Sequence, residues 1–422
     1  MSKRILIVSY LFAPNNAIGA IRPTKIADRL SRAGYEVDVF TYGYTANDGY
    51  ELDNGKINIF RVNDKSVEPA KAAPAGAVPA AQSTSGLVYQ IKRTRVTYNS
   101  RKRDAAFAAA FAAFYDKRIK EVEYDSIFTT FGPLASLEAG FYAKEKTPGI
   151  NWICDFRDPV LVSVTPLPYR GSFKRIQNKA CEKADKIVAV SNGYIKRICG
   201  EKYKDKAHMI PNGYELADKV QGTVSENDGK LHITYVGSLY MGKRDLTPVF
   251  RAIKELAGSG AVDINNIVFD YAGSDFAVLS MQAATVGMTE LLHDNGRLSR
   301  SDCLNLQFKS DALVLSTWND VGEEGVFPGK FLEYMLIGRP IIAVVDGSLA
   351  NSEVKLVMDE GNFGVTYEAA CKETDFEQLK AYIAAKYREK TALGAVSFAP
   401  SQDVLDRYNY DNIIVKIEEL IG

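Results

Sequence analysis

Histidine is scarce in this chain, three among 422 residues. They stand apart at 208, 232 and 293, so a histidine-rich metal centre is excluded. Cysteine is almost as sparse. The five (Cys154, Cys181, Cys199, Cys303, Cys371) form no CxxC pair and are odd in number. That argues against a disulfide framework or a thiolate metal site, and for reduced thiols in the cytoplasm. No stretch of about 20 apolar residues exists, so no membrane-spanning helix is expected. The opening Met-Ser-Lys-Arg and apolar Ile5–Val8 hint at a secretory leader, but the run is short and Pro14, Asn15 and Asn16 interrupt it. The 52 basic and 52 acidic residues cancel, so no global field points to nucleic acid. GxSxG, Walker and zinc signatures are missing. No GxGxxG follows Ile5–Ser9, which disfavours a dinucleotide oxidoreductase.

What remains has an ordinary globular composition, 46% hydrophobic and 25% charged, and a length that suits two or three domains. Apolar runs predict strands at 5–9, 36–41, 57–61, 126–130, 151–155 and 187–190, with helices near 24–33 and 134–144. After a polar stretch at 218–230 the series restarts, with strands at 233–236, 267–272, 312–316 and 341–345 and a helix from about 246. Such alternation implies parallel sheets with helices on both faces. The expected fold is α/β, two Rossmann-like βαβ domains over 1–218 and 219–400. The amphipathic helix at 410–421, within a terminal segment 401–422, should dock back on the first domain. Residues 66–87, rich in Ala, Pro, Ser and Gly, should form a mobile loop.

The segment 88–103 carries Lys92, Arg93, Arg95, Arg101, Lys102 and Arg103, interleaved with Tyr89, Ile91, Val96 and Tyr98, and has no acidic residue. Two readings stand: a surface for anionic lipid headgroups, or a solvated helix face.

Chemistry concentrates at 327–345. Pro328 and Gly329 open a short helix, Gly338 stops it, and Pro340 leads into a strand. Lys330 sits at the helix start and Glu333 one turn on, on the same face. A helix N-terminus with a Gly and a Lys is a natural seat for phosphate, and a carboxylate one turn in can accept from a pair of sugar hydroxyls. Upstream, Tyr235–Leu239 ends a strand, and Lys243-Arg244 follow Gly237 and Ser238 at the sheet's carboxyl edge, where α/β folds hold ligands. These cations are a second phosphate seat or plain solvated residues. Gly296–Arg300 is a turn for a nucleobase edge or a helix start capped by Ser299. In the first domain, the loops Phe12–Arg22 and Asp155–Pro159 should open on one sheet edge. Asp155, Arg157 and Asp158 are a rigidifying ion pair or place a carboxylate at the reacting centre.

At this point the chain resembles the GT-B fold glycosyltransferases, and within them glycosyltransferase family 4. The resemblance spans nearly the whole length. It rests on Ala13-Pro14 with Gly19–Arg22, Asp155–Pro159, Ala184-Asp185 with Val190-Ser191, Ile210–Gly213, Tyr235–Leu239 and Pro328–Pro340. It implies two domains facing across a cleft, the second binding a nucleoside-diphosphate sugar and the first a saccharide or lipid-linked saccharide acceptor. It implies Lys243 at the diphosphate, with Gly237 and Ser238 beside it, Gly329 and Lys330 at the phosphates, Glu333 on the ribose, and Arg297 and Leu298 near the base. Gly19, Arg22 and Arg157 fall on the acceptor side, and Asp155, Asp158 and Lys243 in catalytic roles. Transfer with retention, no cofactor and no metal are further implications, as is a cytoplasmic setting in polysaccharide or glycolipid assembly, peripheral to the membrane. Two positions depart from the common pattern. Ser238 stands where many members have Arg. The first of two Glu that many members carry with seven residues between them is replaced by Gly325, with Glu323 and Glu324 just before it; the Pro-x-Lys-x-x-Glu-Tyr segment marks a branch of the family. An epimerase acting on the nucleotide sugar and a non-catalytic binding homologue are the rival readings.

Overall fold

Strand β1 (Arg4–Val8) is buried from Ile5 to Val8. A strand covered on both faces belongs in a parallel sheet between helix layers, and the computed structural model of the chain shows that arrangement twice. It describes residues 2–15, 17–43, 56–62, 87–216 and 228–422. The expected loop at 66–87 therefore lies outside the described residues except for Leu87.

The first unit comprises Met1–Gly213 and Tyr410–Gly422. Its strands are β1, β2 (Glu36–Tyr42), β3 (Ile57–Val62), β4 (Ser126–Phe131), β5 (Asn151–Phe156), β6 (Lys186–Ala189) and β7 (Ala207–Met209). They form one parallel sheet in the order β3-β2-β1-β4-β5-β6-β7. Because side chains alternate along a strand, Leu6 and Val8 enter one core with Phe107, Phe111 and Trp152. Ile5 and Ile7 enter another, with residues of α1 (Ile18–Arg32) and α13 (Tyr410–Ile421). The helices α2 (Leu87–Arg118), α3 (Ala135–Lys146), α4 (Leu167–Lys183) and α5 (Asn192–Cys199) contribute to the first of these cores.

The sequence places the start of the first helix near Thr24, but α1 begins six residues earlier and contains Pro23. Proline removes the N–H that would bond the carbonyl four residues back, here that of Gly19. The Arg157 guanidinium donates to that carbonyl at 2.5 Å, so the helix runs through its proline with the open acceptor filled.

The second unit is Tyr214–Asn409. Strands β8 (Leu231–Val236), β9 (Ile267–Ala272), β10 (Leu292–Asp294), β11 (Ala312–Trp318), β12 (Ile341–Asp346) and β13 (Gly364–Glu368) pair in parallel in the order β10-β9-β8-β11-β12-β13. On one face lie α6 (Thr247–Gly258), α7 (Phe276–Ala284) and α11 (Lys372–Leu393), and on the other α9 (Gly329–Ile337), α10 (Glu353–Gly361) and α12 (Gln402–Arg407). Helix α8 (Arg300–Lys309) precedes β11. The unit boundary falls at 213/214, ahead of the expected 218. Tyr214 packs with Val404 and Tyr408, and its hydroxyl donates to Leu405 O at 2.7 Å. For the same reason residues 401–409 stay with the second unit, and only the chain from Tyr410 joins the first. There Asn151 donates to Leu420 O at 2.9 Å and Arg29 pairs with Asp411 at 2.8 Å.

Ile417 is fully buried, in the core it shares with Ile5, Ile7 and Ile26. Ile417→Ala should cost about 2–5 kcal/mol of first-unit stability. Urea unfolding followed through Trp152 in a Trp318→Phe background measures it, as a lower midpoint.

Candidate functional site

In the second unit all strands run the same way, so β8, β9, β11 and β12 deliver their carboxyl ends to one edge. The sheet order reverses between β8 and β11, the switch point at which open α/β sheets bind ligands. The loop after β8 and the N-terminus of α9 both lie at that point.

Helix α9 starts at Gly329 after Pro328 in extended conformation, and ends at Gly338 in the left-handed region. The first N–H groups of an α-helix have no helical carbonyl to bond, and they carry the positive dipole end. Open space lies in front of Gly329, where a Cβ would touch nothing within 4 Å. Lys330 lies over the β8 turn. Gly237 has φ +129°, and a Cβ built there would come 3.0 Å from Lys330 Cε. A side chain at 237 would thus strain the backbone and push the lysine away. Lys330 Nζ is 3.8 Å from Glu333 Oε1. Glu333 also accepts from Gln307 Nε2 at 2.8 Å and Arg300 Nη1 at 3.3 Å. Two donors and the Lys330 charge orient this carboxylate, which can accept about four hydrogen bonds in all, so capacity for a diol remains.

The loop from Gly237 to Arg244 is fixed by Asp275. Its carboxylate accepts from the Ser238 hydroxyl at 2.7 Å and Leu239 N at 2.8 Å. Burial would raise the Asp275 pKa, but these bonds, one from Ser274 and the charge of Arg297 hold it below the ordinary value. Ser238, where an Arg is common, is therefore the tether of the loop. Arg244 Nη1 donates to Ser238 O at 3.0 Å. Lys243 is 58% exposed, paired with Glu323 at 3.3 Å, and lies 5.2 Å from the Trp318 ring centre. Asp346 closes this edge at the end of β12, accepting from Asp245 N at 2.9 Å. Burial pushes its carboxyl up to about 7, and the Asp245 charge adds to this, against the Asp245 N–H bond and Arg244.

Arg297 is exposed and Leu298 half-buried, on the loop before α8. Ser299 is the cap of that helix, accepting from Asp302 N at 3.1 Å. The second unit thus brings Gly237, Gly329, Lys330 and Glu333 together. Ser238 and Lys243 follow on the adjoining loop, while Arg297 stays exposed on the loop before α8, its charge felt at Asp275.

The first unit is different. Arg22 and Asp155 are 2% and 0% exposed and paired at 2.9 Å. Arg22 also donates to Pro211 O at 2.6 Å and Ile210 O at 3.0 Å, and Asp155 accepts from Thr130 at 2.8 Å. These bonds engage Arg22, expected on the acceptor side, and Asp155, expected in a catalytic role, in a buried network of the fold itself. They lock β5, α1 and the chain at 210–211. Arg157 is spent on backbone carbonyls, Gly19 O at 2.5 Å and Phe131 O at 3.1 Å, and a Cβ on Gly19 would meet its Nη1 at 2.8 Å. Gly19 and Arg157 therefore shape the loop edge. Asp158 alone of the loop's two carboxylates reaches solvent. Crowding by its surroundings raises its pKa, opposed by Arg157, the Tyr194 hydroxyl and Arg197.

Sequence reasoning passed over Gln307, Asp275, Tyr240 and Trp318. The available signal was Trp318, one of two tryptophans in the chain, at the carboxyl end of a strand. Among the described residues one acid–thiol group, Glu368, Cys371 and Asp375, has metal-ligand spacing. Both Glu368 oxygens accept backbone N–H groups, of Asn351 and Ser352, each at 2.8 Å.

Residues 24–218 match the family model described as Glycosyltransferase Family 4. The whole chain is similar in structure to the apo form of the lipopolysaccharide outer core galactosyltransferase WaaB, with TM-score 0.57, 14% identity and 99% of each chain covered. It is similar also to a trehalose-6-phosphate protein from E. coli bound with UDP-2-fluoro glucose (TM-score 0.58, 12% identity, 100% of this chain and 99% of that one). A third is the α,α-trehalose 6-phosphate synthase of Burkholderia multivorans (TM-score 0.57, 11% identity, 100% and 98% covered). At such identities the likeness carries the fold, which is GT-B. No curated protein matches the chain by sequence.

Between pH 4 and 7 the native state holds a proton on Asp346 that the unfolded chain has released, so this carboxyl lowers stability as pH rises through that window. Asp346→Asn should flatten that slope, leaving the variant more stable than the parent by a few kcal/mol at most at pH 8 and indistinguishable near pH 3.5. Urea midpoints across pH measure both ends.

Proposed function

We propose that this chain, a glycosyltransferase by its fold and by the family segment it carries, moves a hexose-type sugar from a nucleoside diphosphate to an acceptor with retention of configuration. The observation that supports this reading most is the convergence of Gly237, Lys330, Glu333 and the α9 N-terminus at the switch point of the second sheet. The diphosphate lies against Lys330 and the first N–H groups of α9, with Lys243 on its other side. Glu333, aimed by Gln307 and Arg300, accepts from the ribose hydroxyls.

In the favoured step the bond between the anomeric carbon and the phosphate oxygen breaks, and a bond to the acceptor oxygen forms on the same face. The acceptor's proton passes to the departing phosphate oxygen, so charge is balanced with no separate base. Negative charge grows on the diphosphate, and groups fixed around it before reaction lower the barrier most. Lys330, Lys243 and the helix dipole supply this, and no metal is needed in the scheme. Asp158 is the first-unit carboxylate offered to the acceptor.

The acceptor we favour is a lipid-linked saccharide at an anionic membrane surface, a reading supported by the first half of α2. Among the basic residues of 88–103, Lys92, Arg95 and Lys102 are exposed, beside the exposed Ile91, Val96 and Tyr98. Arg101 is otherwise engaged, with Asp104 at 3.0 Å and Glu138 at 2.5 Å. Arg93 donates to Val164 O at 3.2 Å, joining this half of the helix to a loop with exposed Val162, Val164 and Leu167.

Incubation with a panel of nucleotide sugars and acceptors, following release of nucleoside diphosphate, tests the chemistry. Lys330→Ala should weaken donor binding about 10- to 100-fold, the value of a charge-assisted hydrogen bond. Normal binding by that variant would sink the site assignment. Altered donor without acceptor would indicate an epimerase, and binding without turnover a non-catalytic homologue.

The membrane surface has its own measurement. Reversing Lys92, Arg95 and Lys102 to Glu should reduce co-sedimentation with phosphatidylglycerol vesicles at least about tenfold at low salt, since each cation contributes on the order of 1 kcal/mol. The difference should shrink at high salt. Unchanged sedimentation would remove the membrane proposal and leave the donor site standing.

A further inference from the structure

We propose that Tyr240 and Trp318 form the wall against which the transferred sugar packs, an assignment that rests on the donor reading above and extends it to the part of the ligand that Lys330 and Glu333 leave unread. The first observation is backbone geometry. Tyr240 has φ +48°. Among the described residues the other non-glycine positions with positive φ are Asn351 and Asn362, a residue type that adopts the left-handed region readily, whereas a bulky aromatic does so only when its surroundings hold it there. The surroundings are specific. Tyr240 N donates to the Ser238 hydroxyl oxygen at 3.1 Å, and that hydroxyl donates to Asp275 at 2.7 Å. The turn is pinned so that the ring is presented: Tyr240 is 41% exposed.

The second observation is what the ring is presented beside. Trp318, the last residue of β11, lies with its ring centre 5.8 Å from that of Tyr240, the planes at 58°. Lys243 Nζ is 5.2 Å from the Trp318 ring centre, and the Arg244 guanidinium is 4.3 Å from that of Tyr240. Two tilted rings and two cations form one surface at the carboxyl edge of the sheet.

The third is order along the site. Glu333 and Arg300 flank Lys330 on one side. Gly237 packs under Lys330, and the loop leads from there to Tyr240 and Lys243. A diphosphate held between Lys330 and Lys243, with its ribose at Glu333, directs its other substituent toward the rings. A pyranose suits them: its C–H faces pack on aromatic π surfaces while its hydroxyls point outward, toward Glu323 beside Lys243.

Calorimetric titration with UDP, GDP, UDP-glucose, UDP-galactose and GDP-mannose tests the assignment on wild type, Tyr240→Gly, Tyr240→Phe and Trp318→Leu. Glycine takes φ +48° without strain, so Tyr240→Gly should unfold at or above the wild-type temperature. For the nucleotide that wild type binds, Tyr240→Gly and Trp318→Leu should weaken the nucleotide sugar roughly tenfold and the bare nucleoside diphosphate less than about twofold, while Tyr240→Phe retains both. Equal loss of the two ligands would mean that the rings only hold Lys243 and Arg244, and would overturn the proposal, as would unchanged affinity for both. If wild type binds none of the five, the donor reading falls and takes this assignment with it.

Discussion

Parallel pairing is the constraint from which the rest follows. A parallel strand cannot be reached by a tight hairpin, so each connection crosses over through a helix, and every strand ends at the same edge. That single rule gathers residues far apart in the chain. Gly237, Asp275, Trp318, Gly329 and Asp346 come from four separate connections, yet all stand at or past strand carboxyl ends at that one edge. The same rule in the first unit brings the loops after β1, β4 and β5 together at Arg157. Burial on both faces keeps the sheets from slipping, since a one-residue shift in β1 would exchange the Leu6 and Val8 core for the Ile5 and Ile7 core.

The first unit shows how much of a motif can be structural. Breaking a buried ion pair by removing one partner costs about 3–5 kcal/mol, so the fully buried Arg22 and Asp155 are retained for the fold before any chemistry is asked of them. Arg157 repairs the carbonyl that Pro23 leaves open. Pro23, Gly19, Arg22, Asp155 and Arg157 form one mechanical unit, and their order in the sequence resembles an acceptor-site signature because the loop edge is built from them. Asp158 is set apart from this group by its solvent access.

Sequence reasoning located β9 to the residue and α9 over the span the structure shows, because apolar runs, Pro328 and Gly338 are local signals. The start of α1 was illegible because the residue that rescues Pro23 lies 134 positions away, at Arg157. Tyr214 and Val404 were assigned across the wrong boundaries since a shared core, not composition, decides which unit a linker residue joins. The pairing of Lys330 with Glu333 could be read from spacing. Gln307 and Arg300 could not, being supplied by a neighbouring helix. Ser238 looked like a loss relative to the common Arg, and only its bond to Asp275 shows that it holds a strained turn.

Magnitudes separate the cations that hold the fold from those suited to a ligand. Arg22 sits in a dry pair whose partner no solvent reaches, so an incoming anion could displace Asp155 only by leaving a bare charge buried. Lys243 and Lys330 are 58% and 33% exposed, and their pairs with Glu323 and Glu333 span 3.3 and 3.8 Å. Exposed pairs of that kind contribute about 0–1 kcal/mol. In the proposed donor site, a diphosphate would offer more negative charge than a carboxylate and gain the N–H groups and dipole of α9 besides, so it would displace both glutamates from the lysines at small cost. The glutamates released from the ammonium groups are then acceptors beside the ligand's hydroxyls. Weak pairing at this edge is therefore a condition of the proposed function, and the strong pairing of the first unit is what keeps its loops in place.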